Sequence, residues 1–444
     1  MVLKIKQLIL VGFGVGGLTL LAAKMQAGDV APGQLRDVAG LQMVFRIAYN
    51  SVDDQYLVAY SNETDALVAV VDTDGNIGSQ IVASTGNPGV HSMDLAYNPD
   101  ENEFFYVYRS STTQTIYGRF LDGDGNPITD QYVMGSGNKP HVAYSPASDV
   151  GDTHGRFVFT HLASGGGAIE YKVVDGDSSN TNPLLTYGTI ISGGLQDQIV
   201  YGADAQKFMV VYAKETSDNN IYGKFISADG TTVGSQFTIN DDNKNQTGPV
   251  LGYARNINSW ICAYQTWEAN PPDAKASVIS SDGSVTSQFW VANNGSAWEV
   301  PGAVVYNDVS ETVLFGWRHA DNDSDARVRE WTPGVGGGSW TGSEIVMTNK
   351  DADVQGGAAR TNADDPDFFM VWRNWLGEDG VYGSIFDATA SASEFEFKWW
   401  KLTKQKRWMK KFPFKCICGL HGLGEFPSCV FRLERRLLRS PRGF

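Results

Sequence analysis

The chain has 444 residues, a formal net charge of −15, 49 glycines and 12% aromatic residues. An acidic excess of this kind argues against a nucleic-acid binder, which needs a basic face. Four cysteines in so long a chain exclude a disulfide-stapled miniature, and the length is enough to bury a core without staples.

Residues 1–27 start with Lys4 and Lys6, continue through the apolar run LILVGFGVGGLTLLAA and end in small residues. A basic start, a short apolar centre and a small-residue end describe a secretory signal, with cleavage after Ala23 or Ala27. The run is short for a membrane span, so the mature protein is expected to be secreted or displayed at a cell surface, with no span of its own. A retained N-terminal anchor is the other reading.

From residue 41 to 397 the chain repeats itself. Strand-like runs end at Tyr60, Tyr108, Thr160, Tyr212, Tyr264, Trp317 and Trp372, spaced 48, 52, 52, 52, 53 and 55 residues apart. A second motif precedes each run: RIAYN, DLAYN, HVAYS, QIVYG, LGYAR, VVYND and AARTN. A third follows, as in IYGRFLDGDG from Ile116 and IYGKFISADG from Ile221, and a fourth as in GSQIVA, TDQYVM and GSQFTI. Each unit therefore carries four short runs of β-branched and aromatic residues bounded by Gly, Asn, Asp and Ser, which read as strands. Four strands at a period of about 50 residues predict an all-β, seven-bladed β-propeller over residues 28–397 with four antiparallel strands per blade. The axis-facing position of the first run is Ala48, Ala96, Ala143, Val200, Gly252, Val305 and Ala359 in the successive units, small as such a strand requires. Either residues 33–40 or residues 393–397 are expected to supply the last strand and close the ring.

The DGDG stretch between the third and fourth runs, Asp122 to Gly125, reads as a hairpin turn, since Asp-Gly and Gly-Asn tolerate positive φ. A calcium loop would need alternate acidic ligands and a downstream Glu that this stretch lacks. No cofactor is expected, calcium being the one ion the turns could invite.

Residues 398–444 share nothing with the repeats. They hold thirteen Lys and Arg against two Glu, whereas residues 28–397 carry a net −29 (48 acidic, 19 basic). The segment reads as a basic appendage for a membrane or polyanion, as a disordered extension, or as an aberrant end. Cys416, Cys418, His421 and Cys429 match no strong zinc spacing. Cys262 stands alone in an apolar run and reads as a packing residue.

Propellers carry function on loops held by a rigid scaffold. The residues just past the second runs, Arg109, His161, Gln265, Arg318 and Arg373, are expected to ring one mouth. Arg46, Asp94, His141 and Gln198 would stand at the channel end, with Trp267 and Trp375 in the surrounding loops. Aromatic faces beside charged hydrogen-bonding groups suit a glycan. The expected function is a monomeric binding module for a glycan or an extracellular protein. A structural matrix or envelope role is a further reading. An enzyme is less expected, because no nucleophile motif or paired carboxylates stand out.

Two resemblances bear on this. FRIA, Phe45 to Ala48, resembles the F-R-I-P stretch of propeller sialidases, which implies an arginine cluster of Arg46, Arg318 and Arg373 and a glycosidase as the alternative function. The S-x-D-x-G-x-T-W turn motif of that family is missing. LAYN at Leu95, YLVAY at Tyr56 and IYGRFLDGDG at Ile116 resemble a repeat of secreted and surface proteins of bacteria and archaea. That resemblance covers roughly residues 40–397 and implies a propeller and an extracellular place, with no defined activity.

Overall fold

The computed structural model describes residues 33–34, 46–387 and 398–400, apart from positions 63, 87–88, 166, 215–217, 243, 322–323, 335–336, 349–351, 362–365 and 375–379. The expected signal, most of the basic tail and Trp375 lie outside the described residues.

The described chain is all-β and its sheets are antiparallel. Arg46–Asn50, Gln55–Ser61, Ala66–Asp72 and Ile81–Val82 form one four-stranded sheet. Gln246–Ala254 through Val285–Ala292 form a second, and Trp298–Asn307 through Gly337–Thr348 a third. Val90 to Asn240 form one continuous ladder because Tyr132–Ser145 and Leu184–Gly202 each serve two sequence units. Residues 184–194 of the latter pair with Gly167–Asp175, and residues 194–202 pair with Lys207–Lys214. One strand thus ends one unit and begins the next.

The first strands of the units contact one another in sequence order, and Ala352–Ala359 returns against Arg46–Asn50. Hydrophobic clusters fill the seams between units. At the closing seam Ile47, Tyr56 and Val58 pack with Ala358, Phe369, Val371 and Ile385. Between units five and six Ile261 and Ala276 pack with Val304, Phe315 and Trp331. The small residues of the inner strands permit this approach: a Cβ on Gly252 would lie 2.8 Å from the carbonyl oxygen of Val304.

Gly380–Asp387 ends the last sheet, and both chain ends meet on its outer edge. Gly33–Gln34 pair with Tyr382 and Gly383, while Lys398–Trp400 pair with Gly383 to Ile385. The edge is divided between the two segments; residues 35–40 and 393–397, also expected there, lie outside the described residues.

The DGDG stretch is a hairpin turn. Gly125 has φ of 82° and its N–H donates to the carbonyl of Asp122. The Asp122 carboxylate accepts the N–H groups of Asp124 (3.1 Å) and Asn126 (2.7 Å), an Asx arrangement that spends it on the turn itself.

The Asn of each A-Y-N motif has a purpose that only the geometry reveals. Asn50 is fully buried, its Oδ1 accepts the N–H groups of Val52 and Asp53, and its amide donates to the carbonyl of Gly123 in the next unit's turn (3.3 Å). Asn98 donates likewise to Gly176 (3.2 Å), and Ser145 to Ala228 (2.7 Å). Lys207 reaches Ser281 where Gly202 has no side chain (3.2 Å). In the last unit the register makes Ala358, Ala359 and Arg360 the equivalents of Ala48, Tyr49 and Asn50, one position from the alignment that sets Ala359 at the middle of the run. Arg360 therefore occupies the latch position and crosses to Asp54 of the first unit, with Nε at 2.7 Å and Nη2 at 2.5 Å from its carboxylate oxygens.

Candidate functional site

Two cavities lie along the inner strands, one toward each end. The first, about 430 Å³, includes Tyr201, Tyr253, Tyr306 and the loop residues Arg255 and Asp308 at the strands' C-terminal ends. The second, about 390 Å³, opens where the inner strands begin and is lined among others by Arg46, Lys139, His141, Gln196, Asp197 and Asp353. The sequence order of the strands makes this second cavity the mouth expected from the loop pattern.

The mouth is shaped by a recurring irregularity. Register shifts fall at Val90/Ser92, opposite Thr160/Leu162, and at Gly194/Gln196, Thr247/Val250, Pro301/Ala303 and Val354/Gly356. Each lies at the start of an inner strand, where a bulge re-aims the side chains that follow. Pro140, Pro249 and Pro301 mark three of them, as proline in a sheet interior must.

Arg46, Asp94, His141 and Gln198 occupy one equivalent position in four successive units, paired respectively with Ala59, Val107, Thr160 and Val211. The next units place Val250 and Ala303 there, so the ring has a polar arc and an apolar arc. Within the polar arc Arg46 Nη1 donates to the carbonyl of Gln355 (2.7 Å), and its Nε lies 3.7 Å from Asp94. Asp94 accepts the N–H of Val142 from the next unit (3.1 Å) and lies 3.4 Å from His141 Nδ1. Gln198 makes the matching clasp by accepting the N–H of Leu251. All four line one or both cavities.

The other expected residues stand apart from these cavities. Arg109 donates Nε to the carbonyl of Gly137 (3.0 Å), and desolvation lowers its pKa. Arg318 donates to Ser324 Oγ (3.0 Å), Gln265 is buried and accepts from Thr247 (3.2 Å), and Arg373 is buried. The implied cluster of Arg46, Arg318 and Arg373 does not line a common cavity among these two. Trp267 meets Trp298 edge to face at 5.3 Å. Trp298 begins the strand whose Val300, Pro301 and Gly302 line the mouth, so this pair stands at its rim, with Trp298 48% exposed.

His161 is not a mouth residue. Counting the ladder from Ser145–Arg156 pairs His141 with Thr160, which makes His161 the equivalent of Tyr108 and Tyr212. The anchor of this unit is therefore His161 and not Thr160. A slip of one residue exchanges the two faces of a strand, so the ring is buried at 1% exposure and stacks on Phe159 at 5.7 Å. Burial, with Lys172 nearby, lowers its pKa from 6.5 to about 4. The unfolded chain takes up this proton near pH 6.5 and the folded chain only near 4. Its contribution to stability is then complete above pH 6.5 and lost as the pH falls toward 4. At pH 5 the loss is about 2 kcal/mol. His161→Phe should narrow the difference between urea midpoints measured at pH 7.5 and pH 5, and an unchanged difference would assign the acid sensitivity to other groups.

Lys139, Gln196, Asp197, Asp353 and Gln355 complete the mouth and escape a reading based on repeats, because they sit in or beside the bulges. The prolines before HVAY, VLGY and GAVV were the available signal.

No protein-family model matches the chain, and no curated protein matches it in sequence. Solved structures do match in fold. The Kuenenia stuttgartiensis hydrazine synthase structure has a TM-score of 0.53 at 12% identity over 83% of this chain and 99% of that one. A β-propeller domain from Myceliophteria thermophila gives 0.51 at 12% identity over 79% and 98%. An ulvan lyase of a polysaccharide lyase family, bound to a saccharide, gives 0.52 at 8% identity over 80% and 96%. At these identities the likeness concerns the fold alone, and the fold is a β-propeller.

Proposed function

We propose that the chain is an exported, seven-bladed propeller of the secreted-repeat type whose mouth binds a glycan. The blade count rests on the inner strands, which succeed one another from Arg46–Asn50 round to Ala352–Ala359 and back. Export rests on the basic, then apolar, N-terminal segment. The observation that carries the binding reading is the open mouth cavity of about 390 Å³, lined by both signs of charge and by glutamines, with the Trp267–Trp298 pair at its rim. A saccharide offers what such a site needs: hydroxyls for Gln196, Gln355 and Asp353, and an apolar ring face for Trp298. Nothing in the cavity's geometry favours the sialidase-like alternative over binding.

The test is retention of full-length protein on a broad glycan array, followed by titration of the best saccharide. Trp298→Ala should weaken binding about tenfold, or about 1.4 kcal/mol, with the thermal midpoint unchanged. Folded protein that retains no saccharide would overturn the glycan reading and direct the search to a protein partner.

A further inference from the structure

At the seam between units three and four, two polar residues replace apolar ones. The inner-strand residue paired with the buried aromatic anchor is Met93 opposite Tyr108, Pro301 opposite Trp317 and Val354 opposite Trp372, but Asp197 opposite Tyr212. The residue paired with the channel position is Val107, Val211, Ala59, Ala263 or Gly316 in other units, but Thr160 here. Asp197 and Thr160 are neighbours across the seam, and the hydroxyl favours the ionised carboxyl although no well-formed hydrogen bond joins them.

Asp197 lines the mouth cavity although it is only 5% exposed. Neither of its carboxylate oxygens has a hydrogen-bond partner, and the fully buried Thr160 hydroxyl has none either. An ionised carboxylate accepts hydrogen bonds and donates none, so the missing partner must be a donor. Burial raises its pKa, and the nearby His141 and Lys139 offset this only in part. His141 lies 3.4 Å from Asp94, and Lys139 donates no hydrogen bond to Asp197. Among the described residues, no three His, Cys, Asp or Glu side chains are grouped to hold a metal ion. The donor that best compensates a desolvated carboxylate is then a cationic organic group arriving with the ligand.

We propose that Asp197 receives a protonated amine of the bound ligand, so that the saccharide taken at the mouth is an amino sugar with a free amine. This rests on the glycan reading above. Asp197 is the specificity determinant, and Trp298 supplies the stacking face that any saccharide would use.

The experiment compares a glucosamine pentamer with its N-acetylated counterpart by calorimetric titration against full-length protein, at a salt concentration that suppresses attraction between the polyamine and the acidic body. Wild type should prefer the free-amine oligomer by tenfold or more. Asp197→Asn should abolish that preference, whereas Trp298→Ala should weaken both oligomers alike and leave the preference in place. Thr160→Val, which restores the residue type of the neighbouring units, should reduce the preference as well, and serves if the asparagine variant does not fold. A preference that survives both substitutions is non-specific charge attraction and overturns the proposal. Equal binding of the two oligomers by wild type, or retention only of saccharides without an amine, overturns it while the glycan reading stands. Retention of no saccharide at all overturns both.

Discussion

Arg360→Ala is expected to lower the unfolding free energy by about 3 kcal/mol, seen as a fall in the urea midpoint. Arg360 is only 8% exposed at its side chain, grips Asp54 with two hydrogen bonds and lies 3.6 Å from Asp367. Removing one member of a buried pair usually costs about 3–5 kcal/mol. Asp54 keeps 34% exposure, so water can recover part of the loss and the lower figure applies. Asp54 also accepts from Tyr49 (2.6 Å), which holds the first unit's turn. The pair joins residues 306 positions apart, so its loss should act on ring closure before it acts elsewhere. Hydrogen exchange should accordingly rise first in Arg46–Ser61 and Ala352–Asn374. Uniform exchange across the chain would show that the pair does not govern the seam.

Asn50→Ala should cost a comparable amount, about 3 kcal/mol. Five contacts disappear together: two backbone N–H groups lose their acceptor, and Asp53, Asn102 and the carbonyl of Gly123 lose a donor. An unsatisfied buried group costs about 1–3 kcal/mol, and the site is fully buried. Asn50→Asp should be no better, since its carboxylate would face Asp53 Oδ2 at the position where the amide now donates at 2.9 Å. Thermal unfolding of both variants, beside Asn98→Ala as the same latch one seam on, checks this. A loss below about 1 kcal/mol at both sites would show that water replaces the latch.

The strands were legible because their composition and bounding turns recur, and the repeat itself announced the architecture. Register was less legible. In RFVFTHLA nothing local distinguishes Thr160 from His161 as the anchor, and even spacing favoured Thr160. The true interval is one residue longer, and the connection before it is itself irregular, carrying a helical turn at Ala147–Val150. AARTN slipped for a similar reason: Arg360 does in that unit what Asn does in the others, and residue type concealed the equivalence. Arg46, Asp94, His141 and Gln198 share one register position because the inner-strand motif fixes it. Arg109, Arg318 and Arg373 were not brought to the mouth cavity, since a residue beyond a strand end is free to turn back onto its own loop. Asp197 was invisible because a single acidic residue among many becomes notable only when its surroundings are known to be dry.

The latch between units has a bearing on how such a chain could have grown. Asn50 and Asn98 each donate forward, and the turn carbonyls of Gly123 and Gly176 each receive from behind. Unit two therefore carries both a plug and a socket. A duplicated copy of it would arrive already matched to its parent on either side. Lengthening by whole units needs no new complementary pair, and each copy can then drift provided that one plug and one socket persist. Ser145 in place of Asn, Lys207 acting for a glycine, and Arg360 at the closing seam are the traces such drift would leave.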